Sequence, residues 1–289
     1  MTTGSKSEKP QKYAAPRGTT DVLPDEWPYW NYVRDTVERV CSLFGYRRIE
    51  TPMFEHAGVF LRTSGDGSDV VEKEVYLFED RGGDRLALRP EGTANVVRAY
   101  IEHGMSSLPQ PVRLFYMAPN FRYDRPQAGR YRQHTQFGAE CIGDGDALVD
   151  AEIIHLLTSV YRELGWTSFN LKLNSIGDAN CRPAYIDALR AYYEPLLDQV
   201  CADDRMRFQK NPLRLLDCKE ERCRPIVDAA PKLPEYLCDA CREHFAAVQA
   251  YLSALKIGFT LDPALVRGLD YYTRTTFEVQ PLVEGGQST

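Results

Sequence analysis

The 289-residue chain contains no apolar run of about 18 residues, which excludes a helix that spans a bilayer. Its first stretch, MTTGSKSEKPQKYAAPRG, lacks the apolar centre of a secretory signal, so the cytoplasm is the expected location. No GxxxxGK[ST] segment is present, and the phosphate loop of parallel-sheet nucleotide-binding folds is therefore missing. There is also no excess of positive charge. The formal net charge is -6, which argues against indiscriminate binding of nucleic acid, although a local basic stretch can still grip a phosphate backbone. The eight cysteines do not imply disulfides, because a chain of this length needs no covalent staples and Cys41 and Cys141 fall inside apparent core elements. Reduced thiols are expected.

What the chain does have is ordinary globular material, 43% hydrophobic and 26% charged, enough for one large domain or two smaller ones. Its most informative stretch is 112–141, VRLFYMAPNFRYDRPQAGRYRQHTQFGAEC. Residues 112–123 are rich in aromatic and branched side chains, and 131–142 alternate apolar with polar, as paired antiparallel strands do. The loop between them carries Pro126 and Gly129 as turn residues, with Arg122, Arg125, Arg130 and Arg132 around it. A guanidinium is a rigid fork of donors that matches phosphate, so the arginines suggest an anion clamp. A charged, soluble sheet edge is the other reading.

Residues 1–16 mix Lys6, Lys9 and Lys12 with Ser, Pro and Gly, and predict a mobile arm. Val33, Val37, Val40 and Phe44 recur at helical steps, predicting a helix over 25–44. Residues 46–54 read as one strand interrupted by Pro52, hence at a sheet edge, and the helix and strand together suit a dimer interface. The segments 75–79 and 85–89 flank RGGD and predict a hairpin. Thr93 is expected to cap a helix whose inner face carries Val97 and Ile101. Glu91, just before it, reads either as a counter-charge to the helix dipole or as a ligand for an ammonium group. A helix over 147–164, a strand through Phe169, Leu171 and Leu173, and further helix over 182–200 follow.

Composition then changes, and 201–250 predict an inserted helical module. It contains Cys218, Cys223, Cys238 and Cys241, spaced C-x4-C-x14-C-x2-C, which could supply four thiolates to structural zinc; His244 is a candidate substitute. Ordinary buried thiols are the alternative. In 266–278, Arg267 enters a strand on which the adjacent Tyr271 and Tyr272 would face opposite ways, one packing and one lining a pocket.

Taken together, RGTTDVLP at 17–24, LRPEGTA at 88–94, FRYDRPQAGRYRQHTQFGAE at 121–140 and VRGLDYYTRTTFE at 266–278 resemble the histidyl-tRNA synthetases, a class II aminoacyl-tRNA synthetase family. The resemblance runs in order along essentially the whole chain. It implies an α+β fold, an antiparallel sheet flanked by helices with a small helical insertion. The helix and strand ending at Pro52 would be the first class II motif, which forms the homodimer, and the central hairpin would be the second. The catalytic core would cover 17–200 and resume over 251–289.

The family's activity implies L-histidine, ATP with Mg2+ and tRNA(His) as partners. By resemblance Arg122 and Arg267 hold the α-phosphate on either side, and Arg130 lies nearer the β and γ phosphates. Glu91, Thr93 and Gln136 resemble the residues that receive the α-amino group. Glu140 and Tyr272 resemble those that read the imidazole, with Tyr271 beside them, and Arg267 belongs to this histidine-side group too. A carboxylate and a phenol together satisfy the donor and acceptor of a neutral imidazole.

Two features of the family are not found up to residue 289: the glycine-rich GGGRYD-like third motif and the anticodon-binding domain. The expectation is the front part of a catalytic domain, impaired in activation when alone. The histidine-sensing regulatory subunit of ATP phosphoribosyltransferase, which lacks the anticodon domain, is the alternative reading.

Overall fold

The computed structural model describes residues 13–63, 74–124, 129–267 and 271–282. The lysines of the predicted arm, Arg125 and Pro126 of the central loop, Gly268, and the final EGGQST tail lie outside the described residues.

Helix α1, Trp27–Leu43, buries Val37, Val40 and Cys41, as its apolar spacing dictates. Burial pushes the Cys41 thiol up to about 12. The expected strand over 46–54 is two strands in two sheets, β1 (Arg47–Arg48) and β2 (Phe54–His56). The break falls at Thr51 and Pro52, and proline has no N–H to give to a ladder. The buried Arg89 secures the crossing: Nη1 donates to the Thr51 carbonyl at 2.7 Å and Nε to the Pro119 carbonyl at 2.7 Å.

Helix α2 (Ala57–Thr63) follows, then the hairpin of β3 (Leu77–Glu79) and β4 (Arg85–Leu88). Gly83 takes φ +92° in its turn, and Asp80 Oδ1 accepts the Gly82 and Asp84 N–H groups at 2.8 and 2.9 Å. Strand β4 runs centrally between β2 and β3, antiparallel to both.

Helix α3, Thr93–Glu102, buries Ala94, Asn95, Val96 and Ala99 rather than the expected pair: Val97 is only half-buried and Ile101 is 71% exposed. Small alanines carry little hydrophobic pattern, yet they let the helix lie close against the sheet. Arg98 ties it to β2 through Glu55, with Nη2 at 2.6 Å and Nε at 2.8 Å from Oε2.

The central hairpin pairs β5 (Val112–Phe121) with β6 (Gln133–Ile142) over ten rungs, from Val112 opposite Ile142 to Phe121 opposite Gln133. Strand β1 adds a parallel edge beside β5, so the sheet is mainly but not wholly antiparallel. Side chains alternate between its faces. Phe115, Phe137, Ala139 and Cys141 pack toward α1 and α4 (Ala147–Glu163). Leu114, Tyr116 and Ala118 face Val96 of α3.

A third sheet holds β7 (Phe169–Ser175) between a short parallel β8 (Thr260–Leu261) and the antiparallel β9 (Thr275–Pro281). Helix α5 is Arg182–Tyr193. Helices α6 (Ala202–Lys210) and α7 (Arg224–Ala229) and the first turns of α8 (Asp239–Ala254) pack with Tyr185, Leu189 and Tyr193 of α5 in one core. The later turns of α8, through Phe245, Val248 and Leu252, pack instead on β7 and α4. No helix among the described residues is long and apolar enough to cross a membrane.

Candidate active site

The return strand of the central hairpin supplies the site's floor. Gln136, Gly138 and Glu140 are two residues apart and so share one face of β6, opposite Ala118, Tyr116 and Leu114 of β5. Tyr116 lies across this floor. A Cβ at Gly138 would come within 2.2 Å of its ring, and one at Gly92 within 2.3 Å, so the ring fits only between two glycines. Sequence reasoning missed Tyr116. The signal was an aromatic directly opposite a glycine on the paired strand, an arrangement in which the ring covers bare backbone.

Glu140 is the chemical centre. Thr93 Oγ1 donates to its Oε1 at 2.7 Å, and the Tyr116 hydroxyl donates to the same oxygen at 3.4 Å. Neither bond uses Oε2. Burial pushes the Glu140 carboxyl up to about 7; the Thr93 bond opposes the rise and the nearby Glu91 charge adds to it.

Glu91, itself buried, caps α3. Its Oε2 accepts the Thr93 N–H at 2.7 Å and its Oε1 the Ala94 N–H at 3.0 Å. Thr93 is thus the first helical residue and not the cap, since Gly92 precedes it with no side-chain oxygen and the carboxylate one residue earlier satisfies the free N–H groups. Its hydroxyl is left for Glu140.

Tyr271 and Tyr272 precede β9 rather than riding on it, and their rings stack, 5.1 Å between centroids at 15°. The expected opposite orientation required an extended strand, which begins only at Thr275. Both hydroxyls lie within the electrostatic influence of Glu91 and Glu140. Burial raises the Tyr271 hydroxyl, with the Glu91 charge next in effect and Thr93 within hydrogen-bonding reach. Burial also raises Tyr272, against the lowering influence of Arg267 and Arg122, while Glu140 and Glu91 raise it further. Tyr272 is held from behind by Arg182 of α5, whose Nη2 donates to its carbonyl at 2.6 Å. Nothing in the local sequence marked Arg182, because the partner that bears on the site, Tyr272, lies 90 residues away in the chain.

The arginines divide. Arg122 donates Nε to the Pro90 carbonyl at 2.8 Å, which fixes its guanidinium plane beside the LRPEGTA segment. Arg267 places Nη1 on Glu278 at 3.3 Å and Nη2 on the Phe277 carbonyl, so β9 engages both ends of its fork. Arg130 pairs with Asp124 at 3.2 Å, and Arg132 stacks over Tyr123, 3.9 Å from the ring centre. These last two bonds belong to the hairpin tip rather than to the Glu140 floor. Gln136 Oε1 accepts from the buried Asn120 at 2.5 Å, which leaves its amide nitrogen to donate toward the cleft. A cavity of about 250 Å³ adjoins Tyr272 and Arg267 and is lined also by Arg182, Arg190 and Lys210.

The four cysteines singled out by spacing do not converge on one point. Cys218 and Cys223 gather with Cys201 and Asp204, whereas Cys238 and Cys241 gather with Asp178 and Cys181. The helical module folds around α5, which separates the two halves of the motif and brings in partners from outside it. His244 joins neither group; its Nε2 faces Asp150 at 3.6 Å.

Comparison with known proteins fits this geometry. The histidine--tRNA ligase of Dehalococcoides mccartyi is 54% identical over 277 residues, covering 96% of this chain and 66% of the relative. The chain therefore spans just under two thirds of that relative's length. The crystal structure of apo S. aureus histidyl-tRNA synthetase superposes with a TM-score of 0.75 at 37% identity, over 96% of this chain and 64% of that one. An ATP phosphoribosyltransferase regulatory subunit/histidyl-tRNA synthetase from Bacillus halodurans reaches a TM-score of 0.69 at 22% identity, over 96% and 75%, a likeness of fold alone. The sequence profile of the histidyl-tRNA synthetases matches residues 18–286, and with the Glu140 floor and its two tyrosines in place, this chain belongs to the histidyl-tRNA synthetase family.

Proposed function

We propose that this chain supplies the amino-acid-activating part of a histidine–tRNA ligase. The carboxylate of L-histidine attacks the α-phosphorus of ATP, pyrophosphate leaves, and histidyl-adenylate remains. A terminal ribose hydroxyl of tRNA(His) then attacks the acyl carbon, losing its proton, and AMP leaves as the ester forms. The observation that carries this reading is Glu140, with Oε2 uncommitted, its carboxyl poised near neutrality, and Tyr271 and Tyr272 beside it. An imidazole, with an ordinary pKa near 6.5, presents one donor and one acceptor to such a pair.

Glu140 and Tyr272 would read the imidazole, with Tyr271 stacked behind. Glu91, Thr93 and Gln136 would receive the α-amino group; the Gln136 carbonyl, already accepting from Asn120, has a second lone pair for it. Arg122 suits the α-phosphate, because Pro90 uses only its Nε and both Nη groups can meet an anion. Arg267 would reach the phosphate, or the substrate carboxylate, by exchanging Glu278. Arg130 would meet the outer phosphates by releasing Asp124. Magnesium would arrive with ATP, bound chiefly through phosphate oxygens and water. Fixed cations facing the charge that builds on phosphate oxygens account for much of the rate in such transfers.

The same reading makes the protein a cytoplasmic homodimer. Exposed Phe54 on β2 and Phe78 on β3 share one face of the second sheet and give it an apolar surface that a second copy would cover. Residues 17–200 and 251–289 would form the catalytic core and 201–250 its insertion. The histidine-sensing regulatory reading has less behind it, since the neighbour so described shares the fold at 22% identity. The test is histidine-dependent exchange of labelled pyrophosphate into ATP by the natural full-length product. Exchange is expected with histidine and not with other amino acids; a folded protein that binds histidine without exchange would overturn the proposal.

A further inference from the structure

Cys201, Asp204, Cys218 and Cys223 each bring one donor atom to within 4.8 Å of the others, in the core of the helical module and away from the Glu140 floor. Cys201 Sγ lies 3.8 Å from Cys218 Sγ. In a tetrahedral zinc site with Zn–S bonds of about 2.3 Å, neighbouring sulfurs stand about 3.8 Å apart. That edge already has the length of a coordinated pair, whereas a disulfide needs about 2.0 Å. The wider separations in the cluster would contract by about 1 Å around an ion.

Local backbone geometry prepares the sulfurs for negative charge. Cys201 is the N-cap of α6, and its sulfur accepts the Asp204 N–H at 3.3 Å. Cys223 ends a short 3-10 turn before α7, and its sulfur accepts the Cys201 N–H at 3.3 Å. Cys218 accepts a bond from the Glu220 backbone. A neutral thiol is a weak acceptor, while a metal-bound thiolate is a strong one, so three sulfurs each met by a backbone donor suit the ligating form.

Asp204 gives an independent indication. Its side chain is 0% exposed, and Oδ1 accepts from Arg207 at 3.0 Å. Its Oδ2 is buried with no N–H or O–H donor, and the side chain also meets the Cys218 and Cys223 thiols. Thiols are weak donors to a buried carboxylate, and a cation at the centre of the cluster would satisfy it more fully.

We propose that Cys201, Asp204, Cys218 and Cys223 bind one zinc ion in a closed, structural site. Three thiolates favour a thiophilic ion over magnesium or calcium, and four protein donors leave no open position for catalysis. The ion would fasten the start of α6 to the turns before α7, a segment made mostly of short 3-10 pieces with few ladder hydrogen bonds of their own. The second group, Asp178 with Cys181, Cys238 and Cys241, offers the same atom types. Its carboxylate is already engaged, accepting the Asn180 N–H at 2.9 Å and facing Arg274 at 4.0 Å, and the proposal does not extend to it.

The test is elemental analysis of the whole chain purified without chelator, beside Cys218→Ser, Asp204→Asn and, as the contrasting variant, Cys238→Ser. The unaltered chain should carry zinc, and Cys218→Ser should lose one equivalent that Cys238→Ser retains. Because a serine variant can fail to fold, cobalt is also titrated into the zinc-stripped unaltered chain. One equivalent should produce a thiolate-to-cobalt charge-transfer band and raise the thermal midpoint. The proposal is overturned if no zinc copurifies and no such band forms. It is equally overturned if the metal follows Cys238 instead of Cys218, or if peptide mapping finds a Cys201–Cys218 disulfide.

Discussion

Thr93 Oγ1 donates to Glu140 Oε1 at 2.7 Å, joining the first turn of α3 to the return strand of the central hairpin. The bond exists because Glu91, not Thr93, caps the helix, and it couples the two ends of the proposed histidine site.

Replacing Thr93 with Val removes this donor and keeps the shape. The Thr93 bond holds the Glu140 carboxyl down, so Thr93→Val should move it above its present value of about 7. A carboxyl-carbon NMR titration of Glu140 reads that shift directly. Histidine affinity should fall about tenfold, in line with ~1–3 kcal/mol for a buried polar partner left unpaired.

Glu140 also predicts a pH dependence. Its folded carboxyl titrates at about 7 against 4.5 for the free group, so the folded state keeps its proton where the unfolded state has lost it. The contribution to stability is full below about 4.5 and is lost as pH rises to about 7. Glu140→Gln cannot ionise. The stability of the unaltered protein relative to Glu140→Gln should therefore decline across that window; urea unfolding of both at several pH values measures it, and a flat difference would contradict the assignment.

Gly138→Ala inserts a methyl where the Tyr116 ring now lies, 2.2 Å from the new atom. The ring must move, taking its hydroxyl from Glu140. A loss of roughly 1–3 kcal/mol is expected for such overpacking, with weakened histidine binding. Tyr116→Phe, which keeps the ring, should retain most of the stability.

Arg89→Met should destabilise the junction between sheets by a few kcal/mol, because the Pro119 and Thr51 carbonyls lose buried donors. Denaturant midpoints report it. Arg122→Lys, by contrast, should leave stability nearly unchanged and lower pyrophosphate exchange about 10²-fold, since a point charge cannot replace a fork held in plane by Pro90.

The sequence by itself determined the elements that carry a repeating signal. The apolar steps of Val33, Val37 and Val40 specify α1, and the aromatic and branched run 112–123 with the alternation of 131–142 specifies the two strands of the hairpin. The segments around Glu91, Arg122, Glu140 and Tyr272 carried the family resemblance, because each keeps its motif within a short run of chain.

What tertiary structure decided lies between such runs. Where the Thr93 hydroxyl went depended on Glu91 taking the cap and on Glu140 coming to rest beside it, and Tyr116 joined the floor only when two glycines from different elements closed on its ring. Spacing alone joined Cys218, Cys223, Cys238 and Cys241, but folding around α5 divided them and supplied Cys201 and Asp204 to one half, Asp178 and Cys181 to the other. Periodicity records which face of an element is buried; it holds no record of which distant side chain will be waiting there.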